Sequence, residues 1–239
     1  MIDTNVKYKK KVVIGEQTLY WGDSTEVLPI IEFDAIITDP PYGIGADKNL
    51  RANKKQGKAA APSKDYGKKE WDNVAPDLAA IVSVDVPSII WGGNYFVLPP
   101  QKCWLVWDKE NGNNGYADCE LAWTNLDKAV RLIKWKWQGM LQKYMGHKKE
   151  VRVHPTQKPV GVMEWCITHL PKEVVTILDP YMGSGTTLVA CAKMGRKGIG
   201  IELDEEYFNI ACERVREAYR SPDMFVTQPK KEVTQENLI

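Results

Sequence analysis

Residues 174–203 read VVTILDPYMGSGTTLVACAKMGRKGIGIEL, and this stretch restricts the fold more than any other. A short run, apolar but for Thr176, leads into a turn with two glycines. An apolar helix closed by Gly195 follows, and then a second short apolar run. A strand with no polar alternation has both faces buried, which calls for helices on both sides of a mostly parallel sheet. The same grammar recurs along the chain. QTLYWGDS and FDAIITDP read as strands, with STEVLPII as a helical crossover between them. APDLAAIVSVDV has helical character, PSIIWGG, KCWLVWD and ELAWTN read as strands, and PVGVMEWCITHL as a helix. DEEYFNIACERVREAYR is an amphipathic helix with apolar positions at Tyr207, Ile210, Ala211 and Val215. The expectation is an α/β chain without internal repeats, and 239 residues suit one domain with a full core.

Composition excludes several classes. A formal charge of +1 argues against an indiscriminate polycation. No apolar run approaches the ~18 residues that span a bilayer, and MIDTNVKYKKKVV lacks the apolar core of a signal peptide. The five cysteines are scattered without a CxxC pair, so they read as small buried side chains in a reducing compartment. The three histidines form no triad or metal cluster, so no metal is expected.

Three segments interrupt the alternation. Residues 46–70 carry eight basic residues against three acidic ones and little to bury, a basic mobile loop. Residues 126–153 interleave Trp135, Trp137 and Tyr144 with Lys134, Lys136, Lys143, Lys148 and Lys149. Taken alone this is a solvated hairpin with ordinary aromatic packing, or a surface for a phosphate backbone and unstacked bases. Residues 221–239 form a polar tail expected to be loose.

Two turns carry chemistry. TDPPYGIG follows the strand FDAIIT, and its two prolines stop the sheet ladder beside an acid and an aromatic ring. DPYMGSGTT opens a helix whose free N–H groups favour an anion, and Gly183 and Gly185 permit a tight turn and close backbone approach. Glu202 ends the next strand about twenty residues on, where an acid in such folds accepts ribose hydroxyls. No GxxxxGK[ST] is present, and the glycine spacing departs from GxGxxG, which disfavours phosphoryl transfer and dinucleotide chemistry. HPTQKP, before a helix, places Thr156 and Lys158 where they cap that helix or meet an anion.

Together, Asp39-Pro40-Pro41-Tyr42, DPYMGSGTT, GIGIE and HPTQKP make the chain resemble the DNA amino-methyltransferases that use S-adenosylmethionine. The resemblance runs from about Leu19 to Arg216 and includes WGGNYF and CWLVWDK. The tetrapeptide precedes the cofactor loop, the permuted order of the subgroup called beta. The resemblance implies a Rossmann-like, doubly wound, seven-stranded, mostly parallel sheet with one reversed strand, as in class I methyltransferases. It implies that Asp39, Pro40, Pro41 and Tyr42 are catalytic, taking the two hydrogens of an exocyclic amine and stacking on its ring. Asp179, Pro180, Gly183, Ser184, Gly185 and Thr186 would form the cofactor loop, Glu202 would hold the ribose, and Thr156 and Lys158 would lie near the methionine part. Asp23 is similar to an acid that contacts adenine, and reads equally as a turn residue. Asp at the head of the tetrapeptide favours adenine N6 over cytosine N4. An RNA methyltransferase and a non-catalytic DNA binder on this scaffold are the further alternatives.

DNA, double-stranded or single-stranded, is the implied partner, with the target base flipped out. Lys54, Lys55, Lys134, Trp135, Lys136, Trp137 and Lys143 are the expected DNA contacts. Only 126–153 remains for target recognition, which suggests a short or relaxed site. The resemblance is compatible with a homodimer, a restriction-modification role, and a location in the cytoplasm of a bacterial or phage-infected cell.

Overall fold

The computed structural model describes residues 7–45, 72, 74–112, 117–138, 141–146, 149–154, 156–220 and 233–236. The basic loop 46–70, with Lys54 and Lys55, lies outside the described residues, as do Lys148 and most of the tail.

Among the described residues, twelve strands and five α-helices follow in chain order. β1 (Lys10–Ile14) and β2 (Gln17–Trp21) form a hairpin, and α1 (Ser24–Val27) leads to β3 (Ala35–Thr38). α2 (Ala79–Val82) precedes β4 (Ser88–Trp91), β5 (Trp104–Asp108), β6 (Cys119–Thr124) and β7 (Arg131–Lys134). The pair β8 (Trp137–Gln138) and β9 (Leu141–Gln142) makes a separate two-stranded sheet. Then come α3 (Val160–His169), β10 (Thr176–Asp179), α4 (Thr186–Lys193), β11 (Lys197–Glu202), α5 (Glu205–Arg220) and β12 (Val233–Glu236).

The main sheet has ten strands in the order β12-β1-β2-β11-β10-β3-β4-β6-β5-β7. Its middle seven, β2 to β5, are the expected doubly wound sheet, parallel except for β6, which runs against β4 and β5. Three further strands extend it, β12 and β1 at one end and β7 at the other. β1 and β7 come from stretches too charged to announce themselves as strands. β12 pairs antiparallel with β1, which corrects the expectation of a loose tail over 233–236.

Consecutive apolar residues in the central strands point to opposite faces and are buried on both. Ile37, Ile89 and Ile177 join the core under α3, α4 and α5. Ile36, Ile90 and Leu178 join a second core with Val27 of α1 and Ile81 of α2. α5 is held at its start by Asp204, whose carboxylate accepts from Tyr207 N at 3.0 Å, and it carries Glu205 and Glu206 in its first turn.

Strand order reverses between β10 and β3. From β3 the chain winds outward to β4, and from β10 it winds the other way to β11. A crevice opens at the carboxyl ends of such a pair, and ligands of doubly wound sheets bind there. Both chemically marked turns leave the sheet at this point, since Asp39 follows β3 and Asp179 ends β10.

Candidate active site

A cavity of about 390 Å³ occupies that crevice. Its walls include Asp39, Pro40, Pro41 and Tyr42 from one side. From the other come Asp179, Pro180, Gly183, Ser184, Thr186 and Glu202, and Asp23, Thr156 and Lys158 complete the lining named by the sequence. Residues more than a hundred positions apart in sequence thus share one space.

The two turns are tied by Asp179. Its carboxylate accepts from Thr38 Oγ1 at 2.8 Å, Thr187 Oγ1 at 2.5 Å and Tyr181 N at 3.1 Å. Burial pushes its pKa up to about 6 against those hydrogen bonds. With these donors in place, Asp179 fastens β3, β10 and α4 together, and its contribution to binding is to shape the loop. Gly183 and Gly185 serve different needs. Both have positive φ, at 50° and 77°. A Cβ on Gly183 would meet nothing within 4 Å, in keeping with its place in the cavity wall, whereas one on Gly185 would lie 2.9 Å from Ala211 Cβ of α5. Gly185 therefore lets two helices close on each other, and it is the one expected cofactor-loop residue set back from the cavity.

Glu202 crosses to the loop from β11, accepting from Gly183 N at 2.9 Å and Asp204 N at 2.8 Å. Burial, partly offset by these two N–H groups, lifts its pKa to about 7. A carboxylate offers about four acceptor sites, so two remain for hydroxyl donors. Asp23 lines the cavity and caps α1, accepting from Thr25 N at 2.8 Å and Thr25 Oγ1 at 2.7 Å, as the turn reading expects.

At the tetrapeptide, Tyr42 OH donates to Asp39 Oδ1 at 2.6 Å, and Lys158 Nζ lies 2.5 Å from Asp39 Oδ2. Lys158 also donates to Tyr42 OH at 3.1 Å and reaches Glu120 Oε2 at 3.1 Å. The lysine expected near an anion is thus 4% exposed and faces two carboxylates. Burial raises the Asp39 pKa against the pull of Lys158. Burial would also raise Glu120, but Lys158 and Lys109 outweigh it and hold it at about 2. The Tyr42 ring stacks on Tyr95, with centroids 4.8 Å apart and planes at 15°. Asp72 accepts from Gly43 N at 2.8 Å and so fixes the exit of this turn.

Sequence reasoning passed over three of these side chains. Glu120 reads as an outward position of a strand, and Tyr95 as one ring among many. Arg214 reads as the polar face of an amphipathic helix, yet it donates to Ser184 O at 2.6 Å, Ser184 Oγ at 2.9 Å and Thr186 Oγ1 at 3.0 Å, bracing the loop from α5. Nothing local in the sequence distinguishes them.

The expected DNA contacts are only partly at the surface. Lys134 and Lys143 are exposed and Lys136 is half-buried. Trp137 is buried among the core residues, so it corrects the expectation of a base-stacking ring. Trp135 is half-buried against Gly161 of α3, where an added Cβ would overlap its ring, and Lys143 Nζ lies 4.2 Å from its centroid. Among the described residues no His, Cys, Asp and Glu grouping could hold a metal, and no helix is long and apolar enough to cross a membrane.

Comparison with known proteins gives a consistent picture. Residues 98–213 match a family model for the N6 and N4 type described as DNA methylase. The type II methyltransferase M2.LlaDCHI of Lactococcus lactis subsp. cremoris is 46% identical over 79 residues, which span 33% of this chain and 29% of that relative. The type II methyltransferase M.ScaI of Streptomyces caespitosus is 25% identical over 82% of this chain and 80% of its own length. Among solved structures, a complex of M1.HpyAVI with SAM superposes with a TM-score of 0.50 at 26% identity, covering 83% of this chain and 98% of the other.

Proposed function

We infer that this chain is a DNA amino-methyltransferase that draws its methyl group from S-adenosylmethionine, and that its target is the N6 amine of adenine. The observation that carries the reading is the shared cavity, in which the tetrapeptide and the glycine loop face each other across the switch point. Asp at the head of the tetrapeptide supports adenine over cytosine N4 by the family resemblance. The residues present suit the methyl donor. Gly183 leaves the loop open toward the cavity, and Glu202 keeps acceptor capacity for ribose hydroxyls. Arg214 fixes Ser184 and Thr186.

When bound, S-adenosylmethionine supplies a methyl group activated by a sulfonium charge. The protein's part is to make a poor nucleophile available. The lone pair of an adenine amine is delocalised into the ring, so its N–H bonds must be held while the nitrogen becomes more tetrahedral. Asp39 accepts one N–H in a charge-assisted hydrogen bond, and the carbonyl of Pro40, placed by two rigid residues, accepts the other. The ring of Tyr42, backed by Tyr95, holds the plane of the base. As the nitrogen gains positive charge, the Asp39 carboxylate stabilises it, and its raised pKa suits it to take the surplus proton. Alignment of this kind supplies about 7–11 kcal/mol of barrier reduction.

The test is methylation of unmodified duplex DNA, single-stranded DNA and RNA with labelled cofactor, followed by nucleoside analysis. N6-methyladenine in DNA is expected; N4-methylcytosine would move the target and methylated RNA the substrate. Asp39→Ala is expected to abolish transfer while cofactor affinity stays within a few-fold. Near-normal turnover in that variant would sink the assignment.

A further inference from the structure

The charges around Asp39 exceed what the tetrapeptide needs. Lys158 Nζ is shared between Asp39 Oδ2 at 2.5 Å and Glu120 Oε2 at 3.1 Å. Lys109 Nζ holds the other oxygen of Glu120 at 2.5 Å. Two carboxylates and two ammonium groups thus meet in a space where Lys158 is almost fully enclosed and also lies 5.3 Å from the centroid of buried Trp91. Burying an ion pair is costly, and a second acid on the same lysine adds repulsion between the acids. Stability alone gives weak grounds for such a cluster, so a role at the reacting end of the cavity is the better account.

Tyr42 OH holds Asp39 Oδ1 and Lys158 Nζ holds Oδ2, so a target amine that hydrogen-bonds this carboxylate competes with donors already in place. Nζ has Glu120 within reach as a second resting place. We propose that Glu120 is a positioning residue that shares Lys158 with Asp39, drawing the ammonium aside when Asp39 engages the target amine. Without Glu120, the lysine keeps Asp39 as its one carboxylate partner and both holds the carboxylate back and lowers its basicity. The directions of titration agree, since Lys158 lowers the Asp39 pKa and Glu120 raises it. The other titratable groups facing Asp39 are Tyr42 from its own turn and Asp179 from β10, while Tyr95 backs Tyr42. The inference rests on the methyl-transfer reading above.

The test compares wild type, Glu120→Gln and Glu120→Asp in pH profiles of single-turnover methyl transfer, with cofactor affinity and melting temperature measured for each. For Glu120→Gln the expected result is a rate lower by on the order of tenfold or more at the plateau. Cofactor affinity should stay within about twofold, since Glu120 is absent from the cavity wall. The acidic limb of its profile should move to lower pH, because a neighbouring negative charge has been removed. Glu120→Asp, which keeps the charge, should recover part of the rate and return the limb toward that of wild type. It carries the test if the glutamine variant does not fold. A limb that stays at the wild-type position in folded Glu120→Gln would overturn the proposal, as would a folded Glu120→Asp no better than Glu120→Gln. A wild-type protein that transfers no methyl group to any nucleic acid would instead overturn the functional reading itself.

Discussion

Glu202 combines two demands in one side chain. It fastens Gly183 and Asp204 through their N–H groups, and it faces a cavity where its free lone pairs suit hydroxyl donors. Its folded pKa, about 7, lies above the ordinary 4.5 because burial disfavours the charge. The stability this group contributes is therefore complete below pH 4.5 and lost as pH rises through about 7. A ligand that donates hydrogen bonds to the ionised form restores it. Saturating cofactor is thus expected to raise the melting temperature more at pH 8 than at pH 6, and Glu202→Gln should flatten that difference and weaken binding by about tenfold. Melting curves with and without cofactor at the two pH values measure both effects. At this scale the sequence was most informative where chemistry dictates residue type. Asp39, Tyr42, Gly183 and Glu202 could be named from the joint order of their motifs and the family resemblance it carries, and the structure brings all four to one cavity. Glu120 and Arg214 could not, because one acid in a strand or one arginine on a helix looks the same whether it faces water or a buried partner.

Among the elements, the segment from β7 to β9 behaves differently from its composition. Its alternation of lysines and aromatics fits a nucleic-acid surface, but the same alternation is what a strand with one face on a core requires. Trp137 belongs to that core, and Trp135 is wedged on Gly161 while its carbonyl accepts from Trp107 Nε1 at 2.8 Å. The tryptophans and the lysines should therefore separate experimentally. Trp137→Ala is expected to cost about 3–5 kcal/mol in chemical denaturation, the range for truncating a large buried ring. Replacing Lys134 and Lys143 by Gln should leave stability within ~0.5 kcal/mol, as for exposed sites. The lysine variant should weaken DNA binding and lower the slope of its salt dependence. Denaturation curves and binding titrations at two salt concentrations check the pair. An unchanged salt slope would remove this edge from the DNA interface. The core strands β3, β4, β10 and β11 were legible because burial on both faces leaves an unbroken apolar run. β7 was not, because an edge strand carries charge on its open side, and β1, lying between β12 and β2, was not because Lys10 and Lys11 open a run of only three apolar residues.

For the molecule as a whole, β12 closes one edge of the sheet, with three strands between it and β10. Deleting residues 221–239 should expose β1, lower the melting temperature by several degrees at about 2–4 °C per kcal/mol, and promote self-association. On the methyl-transfer reading, the rate per folded molecule should not change, because none of the described residues of that edge lines the cavity. Thermal melts, light scattering and a transfer assay on the truncated chain measure this, and a collapse in rate would bring the tail into the site. The sheet also sets a limit on motion. Thr38, one residue before Asp39, donates to Asp179 at the mouth of the glycine loop, across parallel neighbours in register. Adjacent strands lie about 4.8 Å apart and cannot slide without breaking their ladder. The spacing of the two strand ends that carry the tetrapeptide and the glycine loop is thus set by the sheet itself. On the methyl-transfer reading, the target base has to leave its stack to reach that space, so the larger rearrangement is asked of the nucleic acid.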